Sequence, residues 1–313
     1  MQVFIDLILK TGKSVIDLCF YKLIPIMVIM MAFMRLLEKK RILHYIAWIL
    51  SPVLIIFGLP GLGLFAFLQI FFISFAAPMA TLALMDKDSK IGNRTLASTL
   101  ALVYTVSQAN AAFPLVAYGL NLPITLISSV LGGIVAASST FYFFAKKESH
   151  FQMCFKESYS HMPKSDKKNW MKILIEGGEE GVQIVLKSIP MLMLALFLVK
   201  ILGQTGFIDW LSNLLSPAFS KVGLRGAVVL PIATKFFAGG TAMMGTTIDL
   251  INAGKMSALE LNKIAGLMIN PFDLVGLVFY AAAGPRVAKV VKFAFKGALL
   301  GILFRTIFHF IIF

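Results

Sequence analysis

Long apolar runs alternate along the chain with short polar segments. In the first half, residues 96–118 and 122–144 are each long enough to cross a bilayer as a helix, and 23–37 is a shorter run of the same kind. Only helices and closed barrels satisfy their backbone groups inside a membrane, and runs of this length are typical of helices. The pattern predicts an all-α polytopic membrane protein.

Sliding the chain against itself by 165 residues aligns 1–148 with 166–313 without a gap, which leaves 149–165 as a connector. Matched positions cluster at glycine and proline; Pro25 meets Pro190, and Gly58 meets Gly223. The alternative is accidental similarity between apolar segments. We interpret the chain as a first gate repeat, a cytoplasmic connector and a second gate repeat.

Each half is predicted to contain six elements. In the first half they are an arm helix at 1–19, a transmembrane helix at 23–37, an interfacial helix at 42–57, a re-entrant hairpin at 61–85, a broken transmembrane helix at 96–118 and a transmembrane helix at 122–144. The arm helix either lies at the interface or extends the next span. Three crossings per half is an odd number, so the second repeat should be inverted relative to the first.

Composition and charge agree with this topology. The chain is 58% hydrophobic and 14% charged, with a net charge of +14. Its Lys and Arg residues lie in short segments between apolar runs, which favours positive-inside topology and contact with membrane lipids over nucleic-acid binding. The basic segments 35–41, 87–94 and 146–172 are predicted to be cytoplasmic, with both termini outside, in a bacterial inner membrane.

The most unusual stretch is 231–250, PIATKFFAGGTAMMGTTIDL, which is too polar and glycine-rich for an ordinary span. Such residues are tolerated at membrane depth where they line a protected cavity. The two hairpin tips and the broken spans after them should therefore form a solute site. The candidate residues are Ser74, Pro78, Thr81, Ser107, Gln108, Asn110, Lys235, Gly239, Gly240, Thr241, Thr246, Thr247, Asn270 and Asp273.

Two features of this predicted site leave alternatives open. Pro271 should break its span and free carbonyls for a cation or polar solute, or its polar neighbours merely satisfy one another. Lys235 and Asp273 either pair with each other, or Lys235 attracts an anionic solute while Asp273 carries H⁺ or Na⁺.

The sequence gives little support for metal binding, enzymatic activity or a bound cofactor. His44 and His309 are predicted at interfaces and His150 and His161 in the cytoplasmic loop, so we expect no metal site. Motifs for hydrolysis, ATP use or dinucleotide binding do not occur in a supporting context, so neither an enzyme nor a bound cofactor is predicted.

The order of elements, twice over and inverted, resembles the transport core of concentrative nucleoside transporters. Residues 189–217 followed by 230–247 are similar to the nucleoside-recognition, or gate, domain, which spore maturation membrane proteins and the membrane part of bacterial ferrous iron transporters share. The resemblance implies an elevator-like secondary transporter of a small polar or anionic solute, with nucleoside-like compounds among the candidates, coupled to H⁺ or Na⁺. The alternatives are a non-transporting membrane factor that binds a lipid-linked precursor or partner protein, and a metal-ion gate; a homo-oligomer is compatible with each.

Overall fold

The computed structural model describes residues 2–39, 54–59, 61–149 and 169–313. Within those ranges the chain is helical and contains no strand. Among the described residues, four helical segments have the length and apolar composition of membrane spans: Phe4–Phe33, Asn93–Val116, Leu122–Phe144 and Gly226–Asn252. The prediction of an all-α membrane protein is confirmed. The predicted interfacial helix 42–57 and the connector 149–165 lie almost entirely outside the described residues.

In the described ranges we number thirteen helices in chain order. They are α1 (Gln2–Ile16), α2 (Ile24–Lys39), α3 (Gly61–Phe72), α4 (Pro78–Lys87), α5 (Asn93–Thr105), α6 (Ala109–Val116), α7 (Leu122–Ser139), α8 (Trp170–Gln204), α9 (Phe207–Lys221), α10 (Val229–Asn252), α11 (Ala258–Met268), α12 (Leu274–Ala281) and α13 (Pro285–Ile312). A π-helical segment, Asp17–Leu23, joins α1 to α2 without a break, so the arm helix extends the following span.

Helices α2 and α8 pack closely because glycine faces the contact. A Cβ at Gly177 would lie 2.7 Å from Ala32 Cα, and one at Gly181 would lie 2.7 Å from Met27 O. Small residues spaced four apart let helix backbones approach each other in a membrane, where van der Waals contact is a main source of helix association.

The first hairpin consists of α3 and α4, joined by the turn 73–77. Thr81 Oγ1 donates a hydrogen bond of 2.7 Å to Gln69 Oε1 across it. In one continuous helix these residues would stand about 18 Å apart along the axis, so the two helices lie side by side.

The second hairpin lies within α10, which is interrupted at Gly239 with φ 84° and ψ 177°. Its two ends meet at one carboxylate: Arg225 N donates to Glu260 Oε1 at 2.9 Å, and Ser257 N donates to Glu260 Oε2 at 2.8 Å. A straight helix of 24 residues would span about 36 Å, so this segment folds back on itself. The orientation of either hairpin relative to a membrane stays a prediction.

Both predicted broken spans contain an interruption. Helix α5 ends at Thr105 and α6 begins at Ala109, while α11 ends at Met268 and α12 begins at Leu274. At the 165-residue shift α6 and α12 coincide at both ends, and α5 and α11 begin at matched positions. These matching boundaries support the duplication, whose exact division and inversion we retain as a proposal.

Helices α5, α7, α11 and α13 form the inner bundle. Glycines on α13 bring it against α7, since a Cβ at Gly301 would lie 2.5 Å from Gly132 O and one at Gly297 would lie 2.7 Å from Ala136 O. Large apolar side chains such as Leu303 are exposed on the outside of the bundle, as expected of a surface that faces lipid.

Candidate functional site

The tip of the second hairpin lies between the two helix interruptions. A Cβ at Gly240 would overlap Gln108 Nε2, and one at Gly239 would lie 3.8 Å from Asp273 Oδ1. Gln108 and Asp273 are the residues that precede α6 and α12. The positive φ of Gly239 and the close approach at Gly240 both favour glycine. The structure thus brings four predicted site residues together.

Lys235 and Asp273 pair with each other, which is the first of the two alternatives above. Lys235 Nζ donates to Asp273 Oδ2, and the exposed fractions of these residues are 0% and 4%. Asp273 Oδ1 accepts a bond of 2.7 Å from Gly276 N, so the carboxylate also caps α12. Both carboxylate oxygens are occupied, and the charge of Lys235 is neutralised inside the protein.

The amide side chains of Gln108 and Asn110, at the break between α5 and α6, have different partners. Asn110 Oδ1 accepts a bond of 3.2 Å from Phe75 N at the first hairpin tip. The Gln108 side chain is buried and does not cap α6, and its Nε2 lies against Gly240 at the second hairpin tip. An amide has both donors and acceptors, so at this position it is suited to a polar ligand.

Aromatic side chains connect the first hairpin to α12. Tyr280 Oη donates to Phe75 O at 2.5 Å, and Tyr104 Oη donates to Leu277 O at 3.3 Å. The ring centroids of Phe75 and Phe279 are 4.8 Å apart. These rings form an apolar wall beside the Asn110 amide.

Several other predicted site residues bond within their own segment. The hydroxyls of Thr246 and Thr247 donate to the carbonyl of Met243 at 2.9 and 2.8 Å. Asn270 Nδ2 donates to Leu267 O at 2.8 Å, and its Oδ1 accepts from the backbone two residues later. These side chains stabilise local backbone, as the second interpretation of the Pro271 break proposed.

Four of the remaining candidates lie at or beside the hairpin tips. Ser74 is buried in the first turn, Pro78 is the first residue of α4, and Thr81 bonds across that hairpin. Thr241 follows the second tip and is half-buried.

Arg305 is a buried residue that sequence reasoning missed. Its Nη1 donates to Thr105 O and, at 3.1 Å, to Ile269 O, while Nη2 donates to Ser107 Oγ at 2.6 Å. The guanidinium therefore binds the C-terminal ends of α5 and α11. An isolated arginine in the apolar run of α13 was the available signal, because an ionisable residue inside a membrane marks a candidate site.

His309 is fully buried inside the protein. Its predicted position at a membrane interface stays a prediction. Its Nε2 lies 2.9 Å from Ser128 Oγ and its Nδ1 lies 2.6 Å from Asn262 O, and these partners compensate the burial of the ring. His44, His150 and His161 lie outside the described residues.

An ion pair closes the open end of the second hairpin. Arg225 Nε lies 2.9 Å from Glu260 Oε1, and Ser257 forms a capping box with the same carboxylate. Hydrogen bonding to Glu260 raises the pKa of the Arg225 guanidinium, which therefore stays charged. Across the described ranges, no three His, Cys, Asp or Glu residues are grouped so that they could hold a metal ion.

Comparison with known proteins identifies the family of this chain. Residues 185–293 match the Gate family model, which is described as nucleoside recognition. Spore maturation protein B of Bacillus subtilis (strain 168) is 31% identical over 133 residues, which are 41% of this chain and 74% of that protein. The chain belongs to the gate family. Inner membrane protein YjiG of Escherichia coli (strain K12) is also similar to this gate-family chain, at 26% identity over 114 residues, 35% of the chain and 74% of YjiG.

Solved structures show which fold the gate-family chain adopts. CNTnw in an inward-facing substrate-bound state matches 99% of this chain and 83% of its own, with a TM-score of 0.68 and 15% identity. CNTnw in an intermediate state matches 92% and 75%, with a TM-score of 0.66. At this identity the likeness shows the fold, which is that of the concentrative nucleoside transporters.

Proposed function

We propose that the chain is an elevator-like secondary transporter that moves a small polar, nucleoside-like solute across a bacterial inner membrane. The observation that carries this proposal is the meeting of Gln108 and Asp273, at the starts of two half-helices, beneath the glycine tip of the second hairpin. Transporters built from repeats hold their solutes where broken helices meet. The fold shared with CNTnw supports the same interpretation.

The side chains around the tips favour an uncharged polar solute over an anion. Gln108 and Asn110 offer amides, and Phe75 and Phe279 offer ring faces, which together suit the hydrogen-bonding edge and the plane of a nucleobase. Lys235 is already paired with Asp273, so an anion would first have to separate a buried ion pair.

The proposal keeps the predicted topology: inverted repeats at 1–148 and 166–313, a cytoplasmic connector at 149–165, both termini outside, and contact with membrane lipids. It also includes coupling to an H⁺ or Na⁺ gradient. Homo-oligomer formation is compatible with it.

A thermal-shift screen of the purified protein tests the proposal, because a ligand that binds only the folded state raises its stability, by about 2.7 kcal/mol at one hundred times Kd. We expect nucleosides to raise the melting temperature more than phosphorylated metabolites or lipid phosphates do. Gln108→Leu should remove the nucleoside shift. Thr247→Val is the matched control, since that hydroxyl bonds to its own helix. A nucleoside shift that survives Gln108→Leu would contradict the assignment of the site.

The second candidate is a non-transporting factor that binds a lipid-linked precursor or partner protein, and the relationship to spore maturation protein B favours it. Such a factor should open its site sideways to lipid, whereas Lys235 is completely enclosed by protein. Stabilisation by lipid phosphates alone would support this second candidate.

A further inference from the structure

The guanidinium of Arg305 lies where two half-helices end. Nη1 bonds to the carbonyls of Thr105 and Ile269, which lie at the C-terminal ends of α5 and α11. These two interruptions correspond to each other in the proposed repeats, so a single side chain from α13 joins both halves of the protein.

The charge of Arg305 is balanced by backbone. Among the described residues Arg305 forms no ion pair with a carboxylate. A helix C-terminus carries about half a negative elementary charge, so two such ends supply about one. That matches the single positive charge of the guanidinium.

The surrounding residues leave room for this side chain. A Cβ at Gly132 would overlap Arg305 Cγ, so glycine at that position makes room for the side chain. A Cβ at Gly266 would lie 2.5 Å from the backbone O of Arg305, so glycine there lets α11 approach α13. Ser107, which accepts from Nη2, is itself fixed by a bond of 2.6 Å from Ser129 Oγ. Glycines and a positioned hydroxyl make this a built site for a cation.

We propose that Arg305 is a built-in cation that takes the place of a coupling Na⁺. In transporters with discontinuous helices, unwound carbonyls and half-helix C-terminal ends coordinate the coupling cation. Here those groups are occupied by a guanidinium that cannot leave. The inference rests on the proposed function where it concerns coupling: solute movement by this chain does not require Na⁺, which leaves H⁺ of the two coupling ions proposed above.

The wild-type protein provides the first test. Its melting temperature should be the same in NaCl and in choline chloride of equal ionic strength. A saturable stabilisation that is specific for Na⁺ would overturn the proposal.

Chemical rescue provides the second test. Arg305→Ala should lower the melting temperature, and guanidinium, far below denaturing concentrations, should restore most of the loss, whereas urea of similar shape but no charge should not. Lys296→Ala removes an exposed cation from the same helix and should change little. Equal rescue by urea, or a melting temperature unchanged by Arg305→Ala, would overturn the proposal because charge would then be dispensable.

If Arg305→Ala does not fold, Arg305→Lys keeps a cation at the same site and should remain indifferent to Na⁺; a gain of Na⁺-specific stabilisation would count against the proposal. No arm of these tests contains solute. A Na⁺ response in a protein that binds nucleosides therefore refutes only this inference, whereas Na⁺ independence without nucleoside binding refutes only the proposed function.

Discussion

Asp273→Asn tests the buried ion pair most directly. Asparagine has nearly the same shape as aspartate, and its Oδ1 can still accept the bond from Gly276 N that caps α12. The substitution therefore removes the negative charge and replaces Oδ2, the acceptor that faces Lys235 Nζ, with an NH₂ donor. Lys235, which has no exposed surface, is left as a buried cation without its counter-ion.

The structure sets the expected size of the effect. Removing one partner from a buried ion pair costs about 3–5 kcal/mol, because the other charge stays desolvated and unpaired. Lys235→Met should cost less, since the carboxylate keeps the Gly276 N–H and the positive end of α12. The double variant removes both charges and keeps the cap, so its stability should return to within about 1 kcal/mol of wild type.

Urea or thermal unfolding in detergent measures all three variants. Asp6→Asn and Lys13→Met on α1 are the matched controls, because both residues are exposed, and each should change stability by less than about 0.5 kcal/mol. If the losses of the two single variants simply add in the double variant, the two charges are independent, and the predicted coupling between Lys235 and Asp273 is refuted.

Three further substitutions test other contacts. Gly240→Ala must displace the Gln108 amide, so nucleoside binding should weaken about tenfold or more in titrations followed by thermal shift; unchanged affinity would contradict the contact. Gly181→Leu places a side chain against Met27 O and should lower the stability measured by thermal unfolding by about 1–3 kcal/mol. The control is Gly203→Leu, whose new side chain meets open space and should not carry this cost. Tyr280→Phe removes the hydrogen bond to the first hairpin tip and should cost about 0.5–1.5 kcal/mol of stability by the same assay. An unchanged stability would show that this bond does not stabilise the fold.

The sequence was informative where local chemistry determines the backbone. Pro271 and its polar neighbours correctly predicted an interrupted span, and the adjacent glycines located the break at Gly239. The predicted span 122–144 coincides with α7 and the π-helical turn that follows it. Apolar periodicity and the chemistry of proline and glycine act over a few residues, so they can be interpreted without knowing the fold.

The contacts that sequence reasoning missed join distant segments. Arg305 reaches Thr105 across 200 positions, and Glu260 gathers the two ends of the second hairpin. His309 is buried, and partners on two other helices meet its ring nitrogens and compensate that burial. Helical periodicity places a side chain on a face of its own helix, but it does not identify which residues on other helices meet that face.

These long-range contacts also restrict how the second hairpin and the broken spans can move relative to one another. Sliding the second hairpin against α12 would separate Lys235 from Asp273, and sliding α5 against α11 would break the bonds of Arg305. Both movements would leave a charge buried without partners, at a cost of several kcal/mol. Moving the hairpin and the broken spans together would leave these contacts intact. The elevator-like mechanism proposed above would therefore have to move these elements as one body.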